Sequence, residues 1–449
     1  MTVQVRTTRT TSQPADPESL SRIGFALAAL AAPVSALNPI LPHVGPVSAF
    51  TAYSLLMFVY GVFHMRRRPP NGLRRFIIVF CIPILAITLP AIVIHFGAAH
   101  IFAEAVVVSG GVLITLGLIA LPSTLLTIRA VLAGWLLASI STTVLAIIEL
   151  TTGRHFGPSY LDANPGASKT GVVTVFFNPN NYAAFLTLTI PLLIAGAALA
   201  TRTWTRRAYY LAAIASVPIM IATSSRFGVA ALLLGVAVWM ILRIRSHFAQ
   251  AFVLAFALLG VVLVFKFLQA NSAGEISSSA SGADYAIKLF GVEITSDSSL
   301  VARWNLMLNG FDMIDRAPFG SGPGGYELVA LDQGTSRMTF GMINPHNGAI
   351  EFLTQYGVIL GAIAVSVTIA LFVNSIRSNK LLHSSAPERT LASASVCMIA
   401  CLPLIFSMHS TFLNVPHEWA GFATIAVVAV YLHQLRATKA PKQHENTHG

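Results

Sequence analysis

The stretch FIIVFCIPILAITLPAIVIHFG (residues 76–97) contains no Asp, Glu, Lys or Arg and is long enough to cross a lipid bilayer. A membrane-spanning helix needs about 20 mainly apolar residues, and the 449-residue chain contains many such runs. Hydrophobic residues make up 55% of the chain and charged residues only 10%, with a mean hydropathy of +0.71. Soluble globular proteins carry about 25% charged residues. The composition therefore predicts an all-α polytopic integral membrane protein.

Hydropathy along the chain predicts about 12 transmembrane helices. Their approximate limits are residues 23–42, 46–64, 76–97, 101–121, 126–149, 179–200, 208–224, 227–242, 248–269, 349–375, 391–409 and 415–435. Together they form one predicted transmembrane domain, residues 22–435. The polar segment 1–21 is predicted to be a disordered tail, and residues 436–449 form a second tail.

The net charge of +11 follows the positive-inside rule. Basic clusters such as RRRPPNGLRR (66–75) and TRTWTRR (201–207) fall on the side that holds both termini, so this side is predicted to be cytoplasmic. Asp162, Glu275 and Asp332 fall on the opposite, outer side. The positive charge therefore indicates contact with anionic membrane lipids, not binding to nucleic acid.

Patterns of metal ligands are weak in this sequence. Cys81, Cys397 and Cys401 lie inside apolar runs, which is typical of small packing residues. Asp312 is expected to pair with Arg316 one helical turn away, not to hold an ion. We therefore expect no metal site and no cofactor.

Two outer segments are long, residues 150–178 and 270–348. Loops longer than about 15 residues are usually functional or disordered. Between Leu300 and Ile314 apolar residues recur every three or four positions, which predicts an amphipathic helix. We expect this helix to lie on the outer membrane surface. The Gly-rich segment GSGPGG (320–325) lacks the spacing of a dinucleotide-binding fingerprint.

Two outward-facing arginines are candidates for binding an anion. Arg226 lies between two short apolar runs and hence near membrane depth, where a cation is costly and usually faces a cavity or a partner. Arg303 lies near the start of the amphipathic helix. The alternative is that Arg226 only snorkels to the membrane boundary and that Arg303 is a solvated charge.

The segment INPHNG (343–348) places a histidine at the start of an apolar run. Asn344 is a candidate N-cap and Pro345 fits the first helical position, so His346 is predicted in the first turn of the helix. The helix dipole disfavours imidazolium there, which keeps the ring available as a base near neutral pH. The alternative is a hydrogen-bonded interfacial histidine without a chemical role.

The segment FNPNNYAAFL (177–186) repeats this arrangement, with Asn178 as the candidate cap before Pro179. Both helices are predicted to begin on the outer side, and helix N-termini bind anions readily. Arginines, helix N-termini and a neutral histidine on one face suit a phosphorylated lipid that carries a reacting sugar.

Four segments together resemble the bacterial O-antigen ligase and O-antigen polymerase (Wzy-like) superfamily. They are NPNNYAAFLTLTIPLLI, SSRFGVAALLLG, ARWNLMLNGFDMIDRAPFGSGPGGYELV and NPHNGAIEFLTQYGVILGAI, within residues 170–376. The resemblance implies a GT-C-like membrane glycosyltransferase. Such an enzyme moves a glycan from a polyprenyl (undecaprenyl) diphosphate carrier to a glycan or lipid acceptor at the outer face of the inner (plasma) membrane.

By resemblance, Arg226 and Arg303 match the arginines that hold the diphosphate, and His346 matches the proposed catalytic base. The implied reaction inverts the anomeric centre and uses no metal. Weaker candidates for substrate contacts are Asn178, Asn180, Asn344, Asn347, Tyr182 and Tyr326. Helix capping is at least as good an interpretation of the asparagines.

Three functions stay open at this point. A ligase transfers a finished glycan to a different acceptor, whereas a polymerase uses a second lipid-linked repeat unit as acceptor. The long outer loop 270–348, with a histidine near its end, favours the ligase. The third function is a non-enzymatic flippase or transporter, which is expected to show repeat symmetry and matching broken helices.

Overall fold

A computed structural model describes residues 20–439, except for 45–46, 66–71, 96–98, 159–170, 245, 258, 261–284, 290–291, 297, 335, 340, 383–385 and 410. The first nineteen residues of the predicted N-terminal tail, the last ten residues of the chain and most of the segment 261–297 lie outside this description.

Helices make up most of the described chain. They are α1 (Arg22–Ala36), α2 (Ala49–Met65), α3 (Gly72–Ile94), α4 (Ala99–Ala120), α5 (Leu125–Thr152), α6 (Pro179–Leu199), α7 (Thr203–Ala222), α8 (Arg226–Ile241), α9 (His247–Ala257), α10 (Ser298–Arg316), α11 (Gly325–Gln333), α12 (Gly348–Leu381), α13 (Pro387–Phe406) and α14 (Pro416–Lys439). Two small antiparallel hairpins accompany them, β1 (His43–Val44) with β2 (Val47–Ser48), and β3 (Tyr285–Leu289) with β4 (Val292–Ser296).

Each predicted span coincides, at least in part, with one of these helices. Seven of them, α3–α6 and α12–α14, are long and apolar enough to cross a membrane. Four others, α1, α2, α8 and α9, are apolar but shorter. The prediction of a helical, multi-pass membrane protein is therefore confirmed, whereas the number of about 12 spans stays a prediction.

The most buried spans are α4, α6, α13 and α14. Helix α14 packs against the other three, and α13 packs against α6. Trp135 on α5 is fully buried and its Nε1 donates a hydrogen bond of 2.9 Å to Thr424 Oγ1 on α14. The three cysteines are buried free thiols, as predicted.

Helix α12 is broken at Gly357, whose φ of 79° and ψ of 171° are not helical. The Gly-rich segment that follows α10 docks into this break. Val358 N donates to Pro318 O (2.8 Å), and Ser321 N donates to Thr354 O (2.9 Å). These bonds satisfy backbone groups that a broken helix leaves open, which is necessary inside a membrane protein. Gly320 of GSGPGG serves a packing role, since an added Cβ would lie 2.7 Å from Gly357 N.

The predicted amphipathic helix is present as α10, and its position on the membrane surface stays a prediction. One face of α10 forms a second small core with α11 and the start of α12. Its buried members are Leu306, Met313, Tyr326, Ala330 and Ile350.

The expected pair of Asp312 with Arg316 is wrong. Asp312 instead pairs with Arg337, which lies beyond α11 and also contacts Asn309. The hydrogen bond from Arg337 holds the pKa of Asp312 below its usual range. In the folded loop Arg337, which is distant in sequence, lies closer to Asp312 than does Arg316, one helical turn away.

Candidate functional site

Four helices begin at the same end of the molecule: α6, α8, α12 and α14. Short contacts join their starts. Val172 N, ahead of α6, donates to Ala222 O, ahead of α8, at 3.1 Å. Glu351 in the first turn of α12 accepts from Phe412 N in the loop before α14. The positive ends of these four helix dipoles therefore lie at one end of the molecule, which favours anions.

Side-chain caps define where these helices begin. Asn178 Oδ1 accepts from Asn181 N at 2.9 Å, which confirms the predicted cap of α6. The predicted cap of α12 at Asn344 is wrong. Asn347 caps this helix instead, since its Oδ1 accepts from Ala349 N (3.0 Å) and Ile350 N (3.2 Å).

His346 consequently lies outside the helix and not in its first turn, as was predicted. Its φ of 50° is left-handed, so the chain turns at this residue just before the cap. The ring is mostly buried, and Nδ1 has no hydrogen-bond partner among the described residues.

Arg303 reaches from α10 into the region of the helix starts. Its Nη1 donates to Ser407 O at 2.6 Å, and its Cζ lies 5.6 Å from the centre of the Phe227 ring. Burial, followed by the charge of Arg303, lowers the pKa of His346 to about 3. The neutral ring expected from the sequence thus arises from desolvation and a nearby cation.

Arg226 is the first residue of α8 and is partly buried. It directly precedes Phe227, the ring that Arg303 covers. The structure therefore brings the three residues Arg226, Arg303 and His346 to one region, although they come from three separate elements.

The weaker candidates divide into two groups. Asn178, Asn180, Asn344 and Asn347 are partly exposed beside the helix starts. Tyr182 and Tyr326 are fully buried. Tyr326 Oη donates to Leu306 O at 2.8 Å, and the Tyr182 ring stacks on Phe176 at 4.8 Å. Protein groups thus already surround both tyrosines.

An apolar cavity of about 430 Å³ opens beside this region. It begins at Gly348 and Ala349 next to His346 and runs along α12 to Ile369, between α12, α13 and α14. Glu418 is the one charged side chain among the described residues that line it. Such a cavity suits a long hydrocarbon chain with its polar end at the helix starts.

Sequence reasoning missed a set of buried polar residues at the same end. They are Asn181, Glu351, His409, His417 and Glu418. A signal was present in HSTFLNVPHEW (409–419), because ionisable residues at the end of an apolar span are costly and usually functional.

Residues 211–365 match the family described as O-antigen ligase. This segment contains Arg226, Arg303 and His346, and the resemblance seen in the sequence is confirmed over it. No curated protein matches the chain. The match supports a membrane enzyme of the O-antigen ligase or polymerase type, which acts on a lipid-linked glycan and an acceptor.

Proposed function

We propose that the protein transfers a glycan from a polyprenyl (undecaprenyl) diphosphate carrier to an acceptor at the outer face of the inner (plasma) membrane. Both termini are cytoplasmic in this proposal. One observation carries it: Arg303 and the mostly buried imidazole of His346 lie together beside the end of an apolar cavity, and Arg226 begins the helix whose Phe227 ring Arg303 covers.

The diphosphate is held by Arg226 and Arg303. Guanidinium groups bind phosphate oxygens through paired, charge-assisted hydrogen bonds. Arg303 is already oriented by Ser407 O and the Phe227 ring, so little side-chain freedom is lost on binding. The arginines supply the positive charge that the departing diphosphate needs, so this proposal assigns no metal to the transfer step.

His346 accepts the proton of the attacking hydroxyl. The acceptor oxygen forms a bond to the anomeric carbon while the bond from that carbon to the diphosphate oxygen breaks on the opposite face. The anomeric centre is inverted, the proton moves to His346, and the electron pair leaves with the diphosphate. In the free protein the pKa of His346 is about 3, which makes a weak base. Bound diphosphate offsets the charge of Arg303, which raises this pKa and strengthens the base in the complex.

The polyprenyl chain lies in the apolar cavity. The lining follows α12 from Gly348, past the break at Gly357, to Ile369. The diphosphate then sits at the cavity end nearest His346. This placement explains why one site combines an apolar wall with two cations.

A ligase and a polymerase share this donor chemistry and differ in the acceptor. The single histidine at the end of the outer loop favours a ligase with a distinct glycan or lipid acceptor. The polymerase is the alternative, and a non-enzymatic flippase is a further one, since α12 is a broken helix of the kind that transporters use.

The test uses purified protein in nanodiscs with a polyprenyl-diphosphate-linked glycan and separate acceptors. His346→Ala, Arg226→Ala and Arg303→Ala should each lower transfer at least about 100-fold, since removing a general base or one oxyanion donor typically costs that much. Arg337→Ala is the matched control, because Arg337 pairs with Asp312 on the far side of α10 and should transfer normally.

The products separate the alternatives. A ladder formed from the donor alone identifies a polymerase, and a single product on an added acceptor identifies a ligase. Movement of the donor across the bilayer without any new glycosidic bond would refute the transferase and support a flippase. Normal transfer by His346→Ala would remove the assigned base.

A further inference from the structure

A second polar cluster lies where the loop between α13 and α14 meets the first turn of α14. It consists of His409, His417 and Glu418, whose side chains are at most 4% exposed. One ligand atom from each residue lies within 4.8 Å of the other two. The proposed proton transfer and diphosphate binding use none of these residues, although Glu418 also lines the apolar cavity.

Asn181 fixes the hydrogen positions on both histidines. His409 Nδ1 lies 3.0 Å from Asn181 Oδ1, which can only accept, so Nδ1 carries the hydrogen. The backbone of Asn181 also bonds to His417. The Asn181 N–H already donates to Asn178 Oδ1. The backbone carbonyl of Asn181 is therefore the group that accepts a hydrogen bond from the His417 ring.

The free nitrogens of both rings then face one carboxylate oxygen. Glu418 Oε1 lies 2.9 Å from His409 Nε2 and 3.5 Å from His417 Nε2. His417 Nε2 is buried and has no hydrogen-bond partner among the described residues. A proton on Glu418 can satisfy only one of the two nitrogens, and the other remains a buried lone pair. A buried polar atom left without a partner destabilises the fold.

A cation bound between the three atoms satisfies all of them at once. Zinc binds imidazole nitrogen at about 2.0–2.1 Å and carboxylate oxygen at about 2.0–2.2 Å, so neighbouring ligands of a tetrahedral ion lie about 3.4 Å apart. The separations of 2.9 and 3.5 Å lie on either side of this value. Metal-bound histidines also donate their second N–H to an oxygen, which is the role of Asn181 here.

We infer that His409, His417 and Glu418 form a binding site for a divalent transition-metal ion, with zinc the best fit. Two imidazoles favour zinc over magnesium or calcium, which prefer oxygen ligands. Three protein ligands leave a fourth position for water. The ion ties the loop before α14 to the first turn of α6 through Asn181. It therefore stabilises the fold beside the transfer site, and its existence does not depend on the proposed reaction.

This site departs from the expectation of no metal. In HSTFLNVPHEW (409–419) the two histidines are eight positions apart, which is not a helical ligand pattern. The loop between them bends so that His409 returns to the start of α14, and Asn181 comes from more than 200 residues earlier.

The first experiment measures metal in the full-length wild-type protein, purified through a Strep tag in detergent without any metal column. Elemental analysis should find about one zinc, or another divalent transition metal, per chain. After dialysis against a chelator, added Zn²⁺ should restore that content and raise Tm. Co²⁺ should give the visible absorption bands of a four-coordinate site.

The second experiment uses variants. Glu418→Gln and His417→Gln keep the side-chain size and should retain less than about a tenth of the metal, as expected for a lost ligand. Their Tm should no longer respond to chelator. His247→Gln is the control, since this exposed histidine bonds to Gln250 and lies outside the cluster.

Wild-type protein that purifies without metal and takes up neither Zn²⁺ nor Co²⁺ would overturn the inference, even if both variants fail to fold. Equal metal content in wild type and Glu418→Gln would overturn it as well. Loss of glycan transfer alone bears on the proposed reaction and not on this site.

Discussion

Replacing Gly357 by alanine is expected to destabilise the protein strongly, because this glycine forms the break in α12. At φ 79° and ψ 171° the backbone lies in a region that is essentially restricted to glycine, and holding another residue there costs about 1–3 kcal/mol. An added Cβ would also lie 2.4 Å from Phe319 C and 2.7 Å from Pro318 O. Both are backbone atoms, so they cannot move away as a flexible side chain can.

The docked segment must therefore shift, and its hydrogen bonds to α12 lengthen. These are Val358 N to Pro318 O at 2.8 Å, and Ser321 N to Thr354 O at 2.9 Å. Each bond contributes about 1 kcal/mol net and costs more when its groups stay buried without partners. Strain and lost bonds together predict a decrease of about 4 kcal/mol in the free energy of unfolding.

The assay is reversible unfolding in mixed micelles with increasing SDS, followed by tryptophan fluorescence. Gly235→Ala is the matched control, since its Cβ would meet only Cys401 Sγ at an ordinary 3.7 Å inside α8. This control should be neutral or stabilising by up to about 1 kcal/mol. If Gly357→Ala behaves like Gly235→Ala, the break in α12 does not depend on glycine, and the reasoning is refuted.

Three further predictions concern the candidate site. Because burial and Arg303 lower the pKa of His346 to about 3, the free protein keeps a neutral ring throughout the range above pH 5. Protonation therefore abolishes the base only as pH falls through the folded-state pKa. We expect kcat/KM, which reports the free protein, to stay flat between pH 5 and 7. Because bound diphosphate raises the pKa of His346, the acid-side decrease of kcat should begin at a higher pH than that of kcat/KM. A decrease of kcat/KM near pH 6.5 would contradict this. Ala364→Trp fills the apolar cavity and should raise KM for long polyprenyl donors more than for short ones; equal KM changes for both donors would place the lipid elsewhere. Tyr326→Phe removes the bond to Leu306 O and should lower stability by about 1 kcal/mol with KM unchanged, whereas a raised KM would support the substrate role considered for this tyrosine.

Arg226 and His346 stand out in the sequence because each breaks a local rule, whereas Arg303 is only an outward-facing cation near the start of the amphipathic helix. A cation at membrane depth, as at Arg226, and an imidazole at the start of an apolar run, as at His346, are costly without a partner. Local patterns were less reliable for exact geometry. Both Asn344 and Asn347 are suitable caps, and only the observed bonds to Ala349 and Ile350 identify Asn347.

The cluster of His409, His417 and Glu418 was missed for a related reason. Its members do not follow a helical or metal-ligand spacing, and the residue that orients them, Asn181, lies on another helix. Sequence patterns report neighbours three or four positions apart, whereas this cluster depends on a loop that folds back on itself. The same limit explains why Arg337, and not Arg316, is the partner of Asp312.

By itself the sequence determined that the chain is a multi-pass helical membrane protein, where most of its helices lie, and that Asn178 caps α6. These features depend on hydropathy and on bonds within a single turn, which neighbouring residues decide. Only the tertiary structure decided that α12 breaks at Gly357 and that Arg303 lies over Phe227. The same holds for the two histidines that share the carboxylate of Glu418. Each of these depends on packing between segments distant in the chain, where close contact selects one arrangement among many that local preferences allow.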